Sequence, residues 1–154
     1  MQGCPGSKTM DFSKEGKETT GDETGIRQSE LRQWPIQLHL VGPQAPYFEK
    51  ADVLLVADCV PFAMADFHRD YLKGSSIAIA CPKLDSAQEV YVDKIAALID
   101  EAKINTLSVM IMQVPCCGGL LNIAQEGLAK AERKIPVKNV IVSLQGEVLS
   151  EDWA

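Results

Sequence analysis

This sequence predicts an α/β fold: a three-layer α/β/α sandwich with helices on both faces of a mainly parallel five-stranded sheet. Three observations carry that expectation. Short, nearly continuous apolar runs alternate with longer segments of helical period. Most of these runs are nearly continuous, the pattern of a parallel sheet covered on both faces. Glycine, proline and capping residues fall between the two kinds of segment, where the chain has to turn.

Residues 1–28, MQGCPGSKTMDFSKEGKETTGDETGIRQ, hold almost no aliphatic side chains, so burial there cannot offset the entropy of ordering. They are expected to form a flexible N-terminal tail, with residues 29–154 as a single α/β domain. Strands are expected at Ile36–Val41, Val53–Ala57, Ser76–Ala80, Leu107–Met112 and Asn139–Ser143. The link over residues 42–51 has room only for a short helical turn around Tyr47–Lys50. The first full helix is expected over PFAMADFHRDYLKG, with Pro61 in its first turn and Gly74 as its left-handed stop. A second runs through SAQEVYVDKIAALIDEAKI, where Ser86 and Glu89 have capping-box spacing. The third, GLLNIAQEGLAKAERKI, places Leu121, Ala124, Leu128 and Ala131 on one face. With right-handed crossovers the order gives a Rossmann-like or flavodoxin-like sheet.

The 154 residues suffice for one domain with a sizeable core. A hydrophobic content of 46% and charged content of 23% are those of a soluble globular protein. A formal charge of −6 and a pI of about 4.9 provide no basic footprint, which argues against nucleic acid and anionic membranes as partners. The N-terminus lacks the apolar core of a signal peptide, and there is no run of about 18 apolar residues to span a bilayer. The expected location is therefore cytoplasmic. There, five cysteines point to metal binding, catalysis or burial before structural disulfides. Neither GxGxxG nor GxxxxGK[ST] is present, so nucleotide binding has no motif behind it.

The positions of the cysteines are more informative. Cys59 follows VLLVAD, Cys81 follows SIAIA, and Cys116 and Cys117 follow SVMIMQVP, so each stands at the carboxyl end of an expected strand. In an open α/β sheet those ends share the ligand-binding edge, and the four thiols are expected to converge there. Each has a proline beside it or one residue away, which stiffens the turn that presents it. Gly118 and Gly119 allow close backbone approach, and the helix after them would aim its positive end at the site, lowering thiolate pKa.

Soft thiolates select zinc, copper(I) or iron–sulfur clusters. Paired CxxC knuckles, usual for structural zinc, are missing, whereas a [4Fe–4S] cube offers separate corners that dispersed and adjacent cysteines can share. A [4Fe–4S] cluster on Cys59, Cys81, Cys116 and Cys117 is thus favoured over zinc or no cofactor. Packing alone remains the bland reading of any one of these cysteines.

The segments CPGS, LRQWPIQLHLV, ADVLLVADCVPFAMADFHRDYLKG, IACPKLD and VMIMQVPCCGGL resemble the C-terminal domain of a family of 4Fe-4S ferredoxin-type iron–sulfur cluster-binding proteins of anaerobic bacteria and archaea. The likeness runs over nearly all of residues 30–149. Members of that family carry a preceding two-cluster ferredoxin domain with CxxCxxCxxxCP motifs. Those motifs are absent here, so the resemblance implies the remaining domain alone, without the ferredoxin clusters. Tandem cysteines on the cluster-bearing small subunit of respiratory complex I, and the CCG motif of heterodisulfide reductase, are analogies of fold and motif only.

The expected function is an electron-transfer module, a carrier or oxidoreductase component more than a stand-alone enzyme, working with a ferredoxin-type domain or another redox partner. The alternatives are a scaffold domain whose cysteines hold zinc or nothing, and thiol redox chemistry at Cys116 and Cys117. Among other residues, His39 reads as a satisfied core histidine, His68 and Arg69 as solvated, and Trp34 and Trp153 as packing anchors. Lys83 is the best candidate for a positive charge near the site, although surface solvation is the more expected role for it. Asp58, Asp66, Asp70 and Asp85 are expected around the same edge, and Cys4 reads as a linker remnant or an exchangeable fifth ligand. No serine, histidine and acid arrangement supports a hydrolase.

Overall fold

The computed structural model of the chain describes residues 7–14 and 25–154, so Cys4 lies outside the described residues. Strand β1 (Met10–Asp11) pairs antiparallel with β2 (Gln33–Trp34), which ties part of the expected tail to the domain. The main sheet contains β3 (Asp52–Ala57), β4 (Ser76–Ala80), β5 (Thr106–Met112), β6 (Val137–Val142) and β7 (Val148–Trp153) in the order β4-β3-β5-β6-β7. The first four are parallel to one another and β7 is antiparallel to β6. Apolar continuity has its expected cause: all of β3 after Asp52 is buried, as are the last four residues of β5.

Helices α1 (Val60–Ala63), α2 (Glu89–Asp100) and α3 (Gly118–Lys130) lie in the crossovers. The chain moves one way along the sheet from β3 to β4, and the other way from β4 to β5 to β6. Right-handed crossovers then put α2 and α3 on one face and the segment through α1 on the opposite face, giving three layers. The two long helices touch intimately. A Cβ on Gly127 of α3 would stand 2.5 Å from Ile95 Cγ2 of α2, so the absence of a side chain sets their separation.

Several expectations are corrected. Ile36–Val41 is not a strand, although it lies beside β4. Only Gln37 bridges to Ile79, with Leu38 N donating to Ile79 O at 2.9 Å and Ile79 N to Ile36 O at 2.8 Å. The chain then turns, because Leu40 N and Val41 N both donate to Gln37 O. Lys94 of α2 holds that turn through its Nζ, which donates to the carbonyls of Leu38, His39 and Val41 at 2.8, 2.8 and 2.9 Å. His39 is consequently exposed rather than a core residue. Ahead of this segment, buried Gln33 caps the β4 edge: its Oε1 accepts from Ile77 N and its Nε2 donates to Ile77 O.

The fifth sheet strand is instead β7, an exposed edge strand reached through a turn at Gly146, whose φ is 89°. Trp153 at its end is 61% exposed and receives Lys138 over its ring, so it does not anchor the core. The helix expected over 61–74 is broken. Met64 leaves helical geometry and a five-residue π-type turn follows at His68–Leu72, an arrangement that buries Met64, Phe67 and Leu72 together. Gly74 does supply the left-handed stop, at φ 78°. Ser86 forms no capping box, because Ala87 at φ 54° turns the chain before Gln88 caps the helix backbone. The buried face of α3 comprises Leu120, Ile123, Ala124 and Gly127, with Leu121 and Leu128 only half-buried. Among the described residues no helix is long and apolar enough to cross a membrane.

The tight contact at Gly127 gives a stability prediction. Gly127→Ala gains up to about 1 kcal/mol of helix propensity, but overpacking against Ile95 costs about 1–3 kcal/mol. A net loss of about 1 kcal/mol is expected as a lowered urea midpoint at unchanged slope; an unchanged or raised midpoint would refute the constraint.

Candidate metal centre

The parallel strands deliver their cysteines to one edge. β3 ends at Ala57, and Asp58 N still donates to Ala80 O at 3.2 Å before Cys59 caps α1. β4 ends at Ala80, so Cys81 is the first residue beyond it. Past β5, Gln113 N donates to Val142 O, and a 3-10 turn at Pro115–Cys117 runs directly into α3 with Cys117 as its N-cap. Prolines shape these turns as expected: Pro61 opens α1 and Pro115 opens the 3-10 turn.

All four cysteines line one cavity of about 240 Å³, along with Asp58, Leu144 and further apolar side chains. It lies outside the carboxyl ends of β3, β4 and β5, and the direction of winding reverses between β3 and β5. Such a switch point is where open α/β sheets bind ligands. None of the four thiols is in a disulfide. Cys59 and Cys116 are exposed, Cys81 is half-buried and Cys117 is buried. The thiols surround the cavity without converging on a point: among the described residues, no three or more His, Cys, Asp or Glu side chains form a ready-made site for a metal ion.

Burial pushes the Cys117 thiol up in pKa, and the neighbouring Cys116 and Cys59 push in the same direction against a backbone hydrogen bond at Met112. The depression expected from the start of α3 is therefore outweighed at this residue. Asp58 is raised too, by burial first and then by Asp85. Its Oδ1 is buried with no hydrogen-bond partner among the described residues.

Asp85 anchors the Cys81 loop: its Oδ2 accepts from Cys81 N at 3.0 Å and from the Tyr91 hydroxyl. Burial, and then this bond, raise the Tyr91 hydroxyl well above its ordinary range. The other two carboxylates expected here belong elsewhere. Asp66 pairs with Arg27 and Arg69, and Asp70 pairs with Arg69. Lys83 is exposed and does not line the cavity. His68 Nδ1 accepts from Glu30 N, and His39 Nε2 contacts Ser86 O at 2.9 Å, so neither histidine faces the thiols.

Sequence reasoning missed an apolar rim. Phe62 is 94% exposed, Leu84 82% and Leu144 69%, and each follows a parallel strand at this same edge. Phe62 and Leu84 each stand three residues after a cysteine, a spacing that could have signalled them.

Comparison with known proteins agrees with this architecture. A sequence model of the Rossmann-like domain family matches residues 45–154. An uncharacterized protein of Archaeoglobus fulgidus is 28% identical over 119 residues, covering 77% of this chain and 83% of the relative. No solved structure matches the chain.

Burial shields Cys117 and raises its thiol pKa, and both lower its reactivity. In reduced, metal-free protein, iodoacetamide at about pH 8 is expected to label Cys59 and Cys116 about tenfold faster than Cys117. Peptide mass spectrometry over a time course checks this, and equal rates would contradict the burial of Cys117.

Proposed function

The chain belongs to the Rossmann-like domain family, and from that premise we propose that it is an electron-transfer module whose Cys59, Cys81, Cys116 and Cys117 hold a [4Fe–4S] cluster. The observation that carries this reading is the lining of one cavity, at the switch point of the sheet, by all four thiols. The donor set fits, since four soft thiolates from three strand ends suit a cube whose irons occupy separate corners. When bound, such a cluster supplies reversible one-electron storage.

The chain's own residues do the rest. Cys117, held as a thiol by burial, gives up its proton on ligation, so loading should become easier as pH rises. Leu144 and the other apolar lining residues surround the thiols with non-polar surface, and Asp58, when protonated, can donate to an anionic core. Phe62, Leu84 and Leu144 present an apolar surface beside the exposed Cys59 and Cys116, suited to brief docking of a ferredoxin-type domain or another redox protein. A reducing compartment such as the cytoplasm would keep the four thiols free.

Anaerobic purification followed by iron and sulfide analysis tests the proposal. About four irons and four sulfides per chain are expected, with an EPR signal on reduction, and both should be lost in Cys117→Ser. A colourless protein that resists anaerobic reconstitution, or one zinc per chain, would overturn it. A Cys116–Cys117 disulfide cycling without iron would transfer the function to thiol chemistry.

Docking has its own readout. Phe62→Ser combined with Leu84→Ser should slow reduction by a two-cluster ferredoxin by about tenfold. Iron content and reduction by dithionite should stay unchanged; an undiminished ferredoxin rate would remove the rim from the interface.

A further inference from the structure

Resting on the four-thiolate reading, we infer that Asp85 is the positioning residue for Cys81, fixing the loop that carries this thiol to the cavity. The loop is closed at both ends by the same pair of residues. Asp85 N donates to Cys81 O at 2.9 Å, and Asp85 Oδ2 accepts from Cys81 N at 3.0 Å. A five-residue ring with both backbone groups of Cys81 engaged leaves its Cα few directions in which to present the side chain.

The ring is locked from two further sides. On α2, fully buried Tyr91 donates its hydroxyl to the same Oδ2, and Gln88 Nε2 donates to Pro82 O at 2.6 Å and Asp85 O at 3.2 Å. On α3, Pro82 lies so close to Gly119 that a Cβ there would be 3.1 Å from Pro82 Cβ. Gly119 is two residues from Cys117, so the Cys81 loop is keyed to the turn carrying the tandem pair.

Asp85 lies outside the cavity lining and acts only through Cys81. A carboxylate close to an anionic centre is electrostatically unfavourable, and directing its oxygen onto a backbone N–H gives it a use that offsets this. Asn at position 85 retains one carbonyl oxygen that can accept from Cys81 N, whereas Ala retains none.

The test uses the whole chain with Asp85→Ala, Asp85→Asn and Tyr91→Phe. In metal-free, reduced protein, amide exchange at Cys81 should accelerate about tenfold in Asp85→Ala. Amides of β3 and β5 should keep their rates, and Asp85→Asn should stay within about threefold of the original chain. In cluster-loaded protein, Asp85→Ala should lose iron to a chelator about tenfold faster and shift the reduction midpoint, with Asp85→Asn restoring both. Unchanged exchange at Cys81, or acceleration spread equally over β3, β4 and β5, would overturn the inference. Should Asp85→Ala fail to fold, Tyr91→Phe decides through an expected threefold or so rise at Cys81 alone. A wild-type chain that binds no iron would sink the electron-transfer reading and leave the exchange result to judge Asp85 separately.

Discussion

Parallel pairing of β4, β3 and β5 is the constraint on which the candidate site depends. Ala57 pairs with Ala80, and Val56 with both Ile79 and Met110, so the three strands finish at one level. Cys81 is then one residue past its strand and Cys59 two past its own, while Cys116 and Cys117 follow β5 after a short proline turn. Register here is not free to drift, because slipping by one residue would exchange the faces of every side chain in a strand buried on both sides. The same apolar packing that stabilises the sheet thus sets the spacing of the thiols.

That dependence explains what was legible in the sequence. The parallel strands are mostly apolar, so four of the five sheet strands could be read directly, and the shared edge of their cysteines followed from topology. Ile36–Val41 alternates apolar and polar residues like a strand, but a turn takes the carbonyl of Gln37 and Lys94, more than 50 residues on, takes those of Leu38, His39 and Val41, contacts that no local pattern records. The opposite error concerns β7. VLSEDW is exposed along most of its length, and it is a strand because β6 offers an open edge and Gly146 permits the return turn. Asp85 was placed at the right edge, yet its role was invisible because its partners are a backbone N–H and a hydroxyl six residues away.

Electrostatics at Cys117 show how competing effects are weighed. A helix start carries roughly half a positive charge and favours a thiolate. Cys117 stands at such a start, but it is also buried, and removal of the charged form from water dominates. A neutral thiol in a reducing setting resists alkylation and oxidation better than a thiolate, and it yields its proton to a metal when one arrives. Under the proposed reading Cys117 would thus be a protected ligand, with Cys59 and Cys116 the more accessible thiols.

The form of the cavity bears on whether this edge would bind a substrate or hold a resident group. Its volume of about 240 Å³ is below the ~300–1,000 Å³ common for small-molecule sites, and four of its lining residues are thiols. Proton-transfer chemistry would have to rely on Asp58, because Asp85 is committed to Cys81 and Tyr91, and Asp66 and Asp70 to arginines. An electron needs neither a substrate pocket nor an acid–base pair; it needs a centre close to the surface and a partner that can approach it. Under the proposed reading, the exposed Phe62 and Leu84, borne by the same turns as Cys59 and Cys81, would supply the surface for that approach. Carrying ligand and docking side chain on one short turn would, under that same reading, couple approach of the partner to the position of the thiol.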